Sequence, residues 1–249
     1  MSAPYDSYDY QSYWHGRKFE DKCERLCLEK MLNLVPQKGL IVDIGGGFGR
    51  LSTLYSSYFD QCLVIDPSEK LLFQGQKLAK NYANVAFKQG SLPNLPLKSE
   101  TVDVAIMVRV SHHIPDLSPS LTDVYRILKK DGYFILEIAN KIHFLARIKA
   151  WLRGDFSFGR NLEPVERRSK ESIREGLIAF SNHHPDKVIK DLKDIGFCVK
   201  EIYSVSNFRS TLIKTIFPEK MLVALEGFLQ RFFARLYFGP SVFILAQKE

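Results

Sequence analysis

The sequence predicts an α/β protein: a doubly wound, mostly parallel sheet of seven strands with helices on both faces. Three observations predict it. Short apolar runs at Leu40–Ile44, Gln61–Ile65, Val85–Phe87, Val102–Val108 and Tyr133–Ile138 alternate with segments of helical apolar spacing, which is the pattern of βαβ units. The longer runs are continuously apolar, as in parallel strands covered on both faces. The first run ends in closely spaced glycines that open the next helix, a turn characteristic of doubly wound sheets.

Taken in order, Phe19, Cys23, Leu26, Cys27, Met31 and Leu34 mark a first helix, ended by Pro36–Gly39. A helix after the first strand runs through Leu51 and Leu54 to about Tyr58. Asp66-Pro67-Ser68 starts the next, with Ser68 as N-cap and Glu69 in the first turn. The loop Gly90–Ser99 leads to the fourth strand. A helix from about Ser118 carries Leu121, Val124, Ile127 and Leu128, and Lys129-Lys130-Asp131-Gly132 reads as its close, with bases at the negative end and glycine after. Beyond Asn140 come an amphipathic stretch Ile142–Arg153 and an irregular charged segment to about Ser181. A helix from near Pro185 to Gly196, a strand at Phe197–Val205, a helix Glu219–Tyr237 and a last strand Ser241–Ala246 complete the order. The Glu219–Tyr237 helix carries Leu222, Leu225, Phe228, Leu229, Phe232, Phe233 and Leu236 on one side.

At 249 residues, 45% apolar and 25% charged, the chain has the composition of one large globular domain. The start Met1–Tyr13 is polar and tyrosine-rich, unlike a signal peptide, and no apolar stretch is long enough for a bilayer. Cys23, Cys27, Cys62 and Cys198 lack zinc-site spacing and read as reduced packing residues. The expectation is a cytoplasmic, metal-independent protein. A net charge of +7 permits an anionic partner or a membrane surface without demanding one.

The run Leu40-Ile41-Val42-Asp43-Ile44-Gly45-Gly46-Gly47-Phe48-Gly49-Arg50 carries the strongest chemical signal. Glycine lacks Cβ, so a ligand can lie against the backbone, and the following helix offers unpaired N–H groups and a positive dipole end. Gly45 and Gly47 suit the dinucleotide pattern G-x-G-x-x-G, but Arg50 stands at its third glycine. Asp66, about 20 residues past the first glycine, is where an acid chelates ribose hydroxyls. Capping the next helix is the alternative, although Ser68 is available for that.

Asp43-x-Gly45-x-Gly47-x-Gly49 resembles motif I of the class I S-adenosylmethionine-dependent methyltransferases. Gly90-Ser91-Leu92-Pro93-Asn94-Leu95-Pro96 resembles the family's loop after the third strand, with Ser91 where an acid usually meets the adenine amino group. Thr101–Ile114 and Ile127–Glu137 look like its fourth- and fifth-strand blocks, so the match covers roughly Leu40–Asn140. The resemblance implies a Rossmann-like sheet with its last strand antiparallel. It implies S-adenosylmethionine as cofactor, held by Asp43, Gly45, Gly46, Gly47, Gly49, Asp66, Pro67, Ser91, Leu92 and Arg109. The expected organisation is a single domain, 1–249: a helical cap (1–36), a cofactor-binding core (37–140), an insertion or lid (141–184), and helices and strands completing the sheet (185–249).

Methyl transfer from a sulfonium is an in-line displacement in which positioning does most of the work. A base is needed only for a protonated nucleophile. His112 and His113, just past the fourth strand, have the side chain whose pKa suits that task, and packing is the competing reading for each. Tyr13, Trp14, Arg17, Trp151 and His183 are the candidate substrate contacts. Val108-Arg109-Val110-Ser111 stands where enzymes acting on base amino groups carry Asn/Asp-Pro-Pro-aromatic, which argues against a nucleic-acid substrate. Phe144, Leu145, Ile148, Trp151 and Leu152 form one apolar helical face that reads as a lid or packing face first and a peripheral membrane contact second. The expected acceptor is small or lipid-like. An NAD(P)-dependent oxidoreductase and a non-catalytic cofactor-binding protein are the alternatives.

Overall fold

The structure, a computed structural model, describes residues 14, 16–174 and 178–249; Tyr13 lies outside them. The elements are α1 (Lys18–Leu34), β1 (Leu40–Ile44), α2 (Ser52–Tyr55), β2 (Gln61–Asp66), α3 (Glu69–Leu78), β3 (Val85–Gln89), β4 (Val102–Met107), α4 (Ser118–Ile127), β5 (Leu128–Ala139), α5 (Phe144–Leu152), β6 (Val165–Glu166), α6 (Lys170–Arg174), β7 (Ser181–Asn182), α7 (Pro185–Ile195), β8 (Phe197–Val205), α8 (Thr211–Ile216), α9 (Glu219–Ala234) and β9 (Ser241–Lys248). Seven strands form one sheet in the order β3-β2-β1-β4-β5-β9-β8. β1, β2, β3, β4 and β5 pair in parallel, and β9 runs against both β5 and β8. β6 and β7 make a separate antiparallel pair.

Alternation along the strands splits the core in two. Ile41, Val64, Val104, Ile106, Ile135 and Phe243 pack with Cys23, Cys27, Leu28 and Met31 of α1 on one face. Val42, Ala105, Met107, Phe134, Leu136 and Ile244 pack with Leu121 and Val124 of α4 and Val188 and Leu192 of α7 on the other. The expected fold therefore holds, with helices on both faces. The strand order reverses between β1 and β4, and the carboxyl ends of those strands open the crevice that doubly wound sheets use for ligands.

Two local expectations are corrected. The helix after β1 is a single turn, Ser52–Tyr55, flanked by turns. Lys129-Lys130-Asp131-Gly132 does not close α4, because the chain turns extended at Leu128 and enters β5 directly. The helix end is instead held by Lys248, whose Nζ donates to the carbonyls of Tyr125 and Leu128 at 3.0 and 2.8 Å, while Lys129 pairs with Asp103.

The burial of α9 runs against its apolar pattern. Its buried residues are Leu222, Glu226, Gln230 and Ala234, one side of the helix, while Leu225, Phe228 and Phe232 face solvent. The inward polar groups do specific work. Glu226 accepts from Asn207 N and Asn207 Nδ2, and Gln230 Nε2 donates to the Cys23 carbonyl of α1 at 3.1 Å. Burial pushes the Glu226 carboxyl up to about 7 against these hydrogen bonds. A carboxyl raised in the folded state contributes stability that is present at low pH and lost as pH rises from its unfolded range through about 7. E226Q is therefore expected to gain about 2 kcal/mol relative to the wild type between pH 5 and pH 8, read by urea unfolding at both pH values. An equal difference at both would show that Glu226 is ionised in the fold throughout.

Candidate active site

The glycine turn is shaped by its own hydrogen bonds. Gly45 N and Gly46 N both donate to the Ile65 carbonyl, at 2.7 and 3.3 Å, and so tie the end of β1 to the end of β2. A Cβ on Gly46 would lie 2.7 Å from the Asp43 carboxyl, so no other residue fits there. Gly47 differs: its φ is +56°, and a Cβ would meet nothing closer than 3.5 Å. Its bare side is the cradle that a ligand can fill.

Asp66 completes the turn. Its Oδ2 accepts from Gly47 N at 2.9 Å and its Oδ1 from Ser68 N at 2.9 Å, while the Ser68 hydroxyl caps α3 by accepting from Leu71 N. A carboxylate offers about four lone-pair sites, enough to hold these two N–H groups and a ligand diol together. Asp43 lies beneath, buried, accepting from the Tyr55 hydroxyl at 3.0 Å. Burial raises its carboxyl to about 7 despite that hydrogen bond and the nearby Arg50.

A cavity of about 540 Å³ sits over the turn, lined by Asp43, Gly45–Gly47, Asp66, Pro67, Ser91, Leu92, Arg109, His112 and His113, with Trp14, Ile178 and Phe180 at its margins. Nine of the ten expected cofactor contacts line it. Gly49 does not; it turns away at φ +73°, with a Cβ position 3.1 Å from Phe87, and its role is to let the turn pack on β3. The Ser91–Leu92 edge is braced from α4: Asp123 Oδ2 accepts from Asn94 N and Leu95 N, and Arg126 donates to the Leu95 and Leu97 carbonyls.

The candidate bases face the same space. The His112 and His113 rings lie 4.0 Å apart, with Phe180 4.6 Å from His112. Burial, with His113, Arg109 and His183 nearby, holds His112 well below the ordinary histidine range, and His113 is lowered by burial too. His113 Nδ1 lies 2.8 Å from the Ala179 carbonyl. A carbonyl only accepts, so a neutral His113 carries its lone pair on Nε2. His183 is buried outside the cavity, where its Nε2 donates to the Ser111 carbonyl at 3.0 Å and props the loop bearing the pair. Of the other expected substrate contacts, Trp14 lines the cavity, and Arg17 and Trp151 do not. Trp151 is 64% exposed on α5.

One part of the wall was not foreseen. Glu24 of α1, 1% exposed, accepts from Arg50 Nη2 at 2.7 Å and from Arg109 Nε at 2.7 Å. Arg50 also pairs with Asp21 and lies 3.7 Å from the Trp14 ring centroid. Arg109 takes φ +65° while its N–H donates to the buried Glu137 at 2.9 Å. The residue at the dinucleotide third-glycine position is thus an ion-pair partner of the first helix. The available signal was the acid pair Glu20 and Glu24, one turn apart beside the apolar positions of α1; Ile178 and Phe180 carried none.

The sheet order and the glycine turn after β1 give the fold of the class I S-adenosylmethionine-dependent methyltransferases. Residues 42–136 match the family model described as a methyltransferase domain. Over 98 residues it is 31% identical to the uncharacterized methyltransferase YcgJ of Bacillus subtilis (strain 168), a match covering 39% of each chain. Over 101 residues it is 32% identical to the ubiquinone/menaquinone biosynthesis C-methyltransferase of Rubrivivax gelatinosus, covering 40% of this chain and 39% of that one. The chain thus spans about two fifths of the length of these curated relatives. The crystal structure of a Listeria monocytogenes protein, provisionally described as an S-adenosylmethionine-dependent methyltransferase, shares the fold with a TM-score of 0.64 at 19% identity, covering 94% of this chain and 99% of that one. The cofactor of this family is S-adenosylmethionine, and the open Gly47 cradle and the Asp66 carboxylate suit its nucleoside.

Truncating Glu24 leaves two part-buried guanidinium groups without their shared anion. Glu24→Ala is expected to cost about 3 kcal/mol of stability, measured by urea unfolding against Glu29→Ala on an exposed part of the same helix. Equal effects would show that the bridge contributes nothing beyond helix propensity.

Proposed function

We propose that the chain transfers a methyl group from S-adenosylmethionine to a small, amphiphilic acceptor. The observation that carries this reading is one continuous cavity joining the Gly45–Gly47 cradle and Asp66 to His112 and His113. Asp66 would hold the ribose hydroxyls, Ser91 and Leu92 the adenine, and the backbone at Gly45–Gly47 the extended chain between. When bound, the cofactor supplies an electrophilic methyl group on sulfonium, which an acceptor takes by in-line displacement.

The chain's own residues then have separate tasks. His112, kept neutral by its burial, is the group that receives a proton from an acceptor hydroxyl or amine. His113, with one ring nitrogen fixed on the Ala179 carbonyl, orients His112 and shares that role. Ile114, Ile178 and Phe180 give the acceptor end an apolar wall, which favours a molecule with a hydrocarbon part. The naming of the Rubrivivax relative for quinone biosynthesis supports the same class. Within this reading residues 1–36 cap the site and 37–140 bind the cofactor. Residues 141–184 supply part of the acceptor wall, and 185–249 complete the sheet. Among the described residues no helix is long and apolar enough to cross a membrane, no group of acids, histidines and cysteines is placed to hold a metal, and the cysteines are free.

Isothermal titration with S-adenosylhomocysteine tests the cofactor assignment. Asp66→Ala is expected to weaken binding at least about tenfold, since a charge-assisted hydrogen bond is worth about 1.5–3 kcal/mol; an unchanged affinity refutes the ribose assignment. Transfer of labelled methyl groups into a cell extract identifies the acceptor. With that acceptor, a base lowered below the ordinary histidine range stays unprotonated at neutral pH. The rate is therefore expected to be flat from pH 8 to about 6.5 and to fall only below it. His112→Ala should lower kcat by about a hundredfold, and retention of full activity in both His112→Ala and His113→Ala excludes base catalysis by the pair.

A further inference from the structure

The same molecule carries a second unusual surface, on the outer sides of α5 and α9. On α5, Phe144, Leu145, Ile148, Trp151 and Leu152 are all exposed, and Ala150 is its one buried residue. At about 100° per residue these five fall within roughly a third of the helix circumference. On α9, Met221, Leu225, Phe228 and Phe232 form a narrower exposed stripe, with Phe228 83% exposed, while Glu226 and Gln230 point inward. The two helices present a joined surface. Phe144 stacks on Phe238 at 4.8 Å, Phe238 on Phe233 at 4.5 Å, and Phe233 meets Phe232 at 5.7 Å. Arg147 Nη2 of α5 donates to the Leu236 carbonyl just past α9 at 2.7 Å.

Charge selects the occupant. Exposed Lys149 and Arg153 flank the α5 stripe, and exposed Arg231 and Arg235 flank that of α9. α5 contains no acid. α9 contains Glu219 at its start and Glu226, which is fully buried and offers no charge to the surface. Segments 141–154 and 208–238 together hold nine Lys and Arg against these two acids, so their surplus equals the net charge of the whole chain. An apolar stripe with a mostly basic margin, whose exposed acid Glu219 is paired with Lys22, is the pattern of helices lying in the interface of an anionic bilayer, aliphatic groups among the acyl chains and bases at the headgroups. A neutral apolar protein partner explains the stripe but not the excess of bases along its margin.

We propose that α5 and α9 form one docking face for the surface of an anionic phospholipid bilayer. α5 follows the carboxyl end of β5, the edge of the sheet at which the cavity opens, so docking sets the cavity beside the lipid. The proposal gives the amphiphilic acceptor a source and in that respect rests on the methyltransfer reading, but the docking itself does not.

The test is co-sedimentation of the full chain with vesicles of phosphatidylcholine alone and of phosphatidylcholine with phosphatidylglycerol. Binding is expected to the anionic vesicles, at least about tenfold weaker to the zwitterionic ones, and to fall steeply at high salt. Tryptophan fluorescence should be quenched by brominated acyl chains, since Trp151 sits in the stripe. L152E combined with F228E, and separately K149E combined with R153E, should each lower vesicle binding at least about tenfold while the melting temperature and the affinity for S-adenosylhomocysteine stay unchanged. Absence of vesicle binding by the wild type, or binding that neither variant pair alters, overturns the proposal. Light scattering decides the main rival: a dimer that L152E/F228E dissolves, with no vesicle binding, assigns the face to a second copy of this chain instead. Failure of cofactor binding in the wild type would sink the methyltransfer reading and leave the vesicle result standing.

Discussion

The Glu24 carboxylate is the point on which the site's geometry converges. It is almost wholly removed from solvent and is held by two guanidinium groups, from Arg50 behind the glycine turn and Arg109 behind β4. Those loops leave neighbouring strands on the two sides of the topological switch. Arg109 adopts a left-handed backbone that only surrounding contacts maintain. Removing one charge from such a cluster leaves the others desolvated and uncompensated, which is why the arrangement is all or none. α1 is thereby tied to Arg50 and Arg109, which line the cavity, and Trp14 is placed over Arg50.

Much of the core was legible in the sequence for a simple reason. Residues 102–107 are all buried, so the strand shows as an unbroken apolar run, and parallel strands of this kind leave little room for another reading. The turn was legible because a Cβ on Gly46 would collide with the Asp43 carboxyl and Gly47 takes a φ of +56°, two demands that glycine meets. Ser68 took the cap that its position indicated, while Asp66 anchors the turn through Gly47 N, a contact its position did not announce. What stayed hidden depends on partners distant in the chain. Lys248 closes α4 from 120 residues away, and no local spacing at Lys129–Gly132 announces that. Glu24 reads as an ordinary solvated acid until Arg50 and Arg109 stand beside it.

α9 shows the same limit in a sharper form. Hydrophobic periodicity reports that a helix has two unlike faces; it does not say which one meets the protein. The usual inference, that the apolar face turns inward, rests on water being the only other surroundings available. Here the polar face is taken up by a backbone that needs it. Asn207 and its neighbours, just past β8, present N–H groups that Glu226 satisfies, and the Cys23 carbonyl in α1 receives Gln230. Once those groups are paired inside, the apolar stripe has nowhere to go but out.

That inversion bears on the site as well. A helix that merely needed to cover the sheet would do so more stably with Leu225 and Phe228 inside, because burying a carboxyl imposes a desolvation cost that Coulombic and hydrogen-bond partners only partly offset. The raised Glu226 carboxyl records that cost. Retaining it is consistent with the outer face having a use of its own, and α5, whose apolar residues are turned outward beside it, points the same way. The cavity wall is apolar at Ile114, Ile178 and Phe180, so the inner and outer surfaces favour molecules of one chemical character. A pocket that prefers amphiphiles and a face that prefers their source are two consequences of one arrangement: the insertion after β5 contributes Ile178 and Phe180 to the first and α5 to the second.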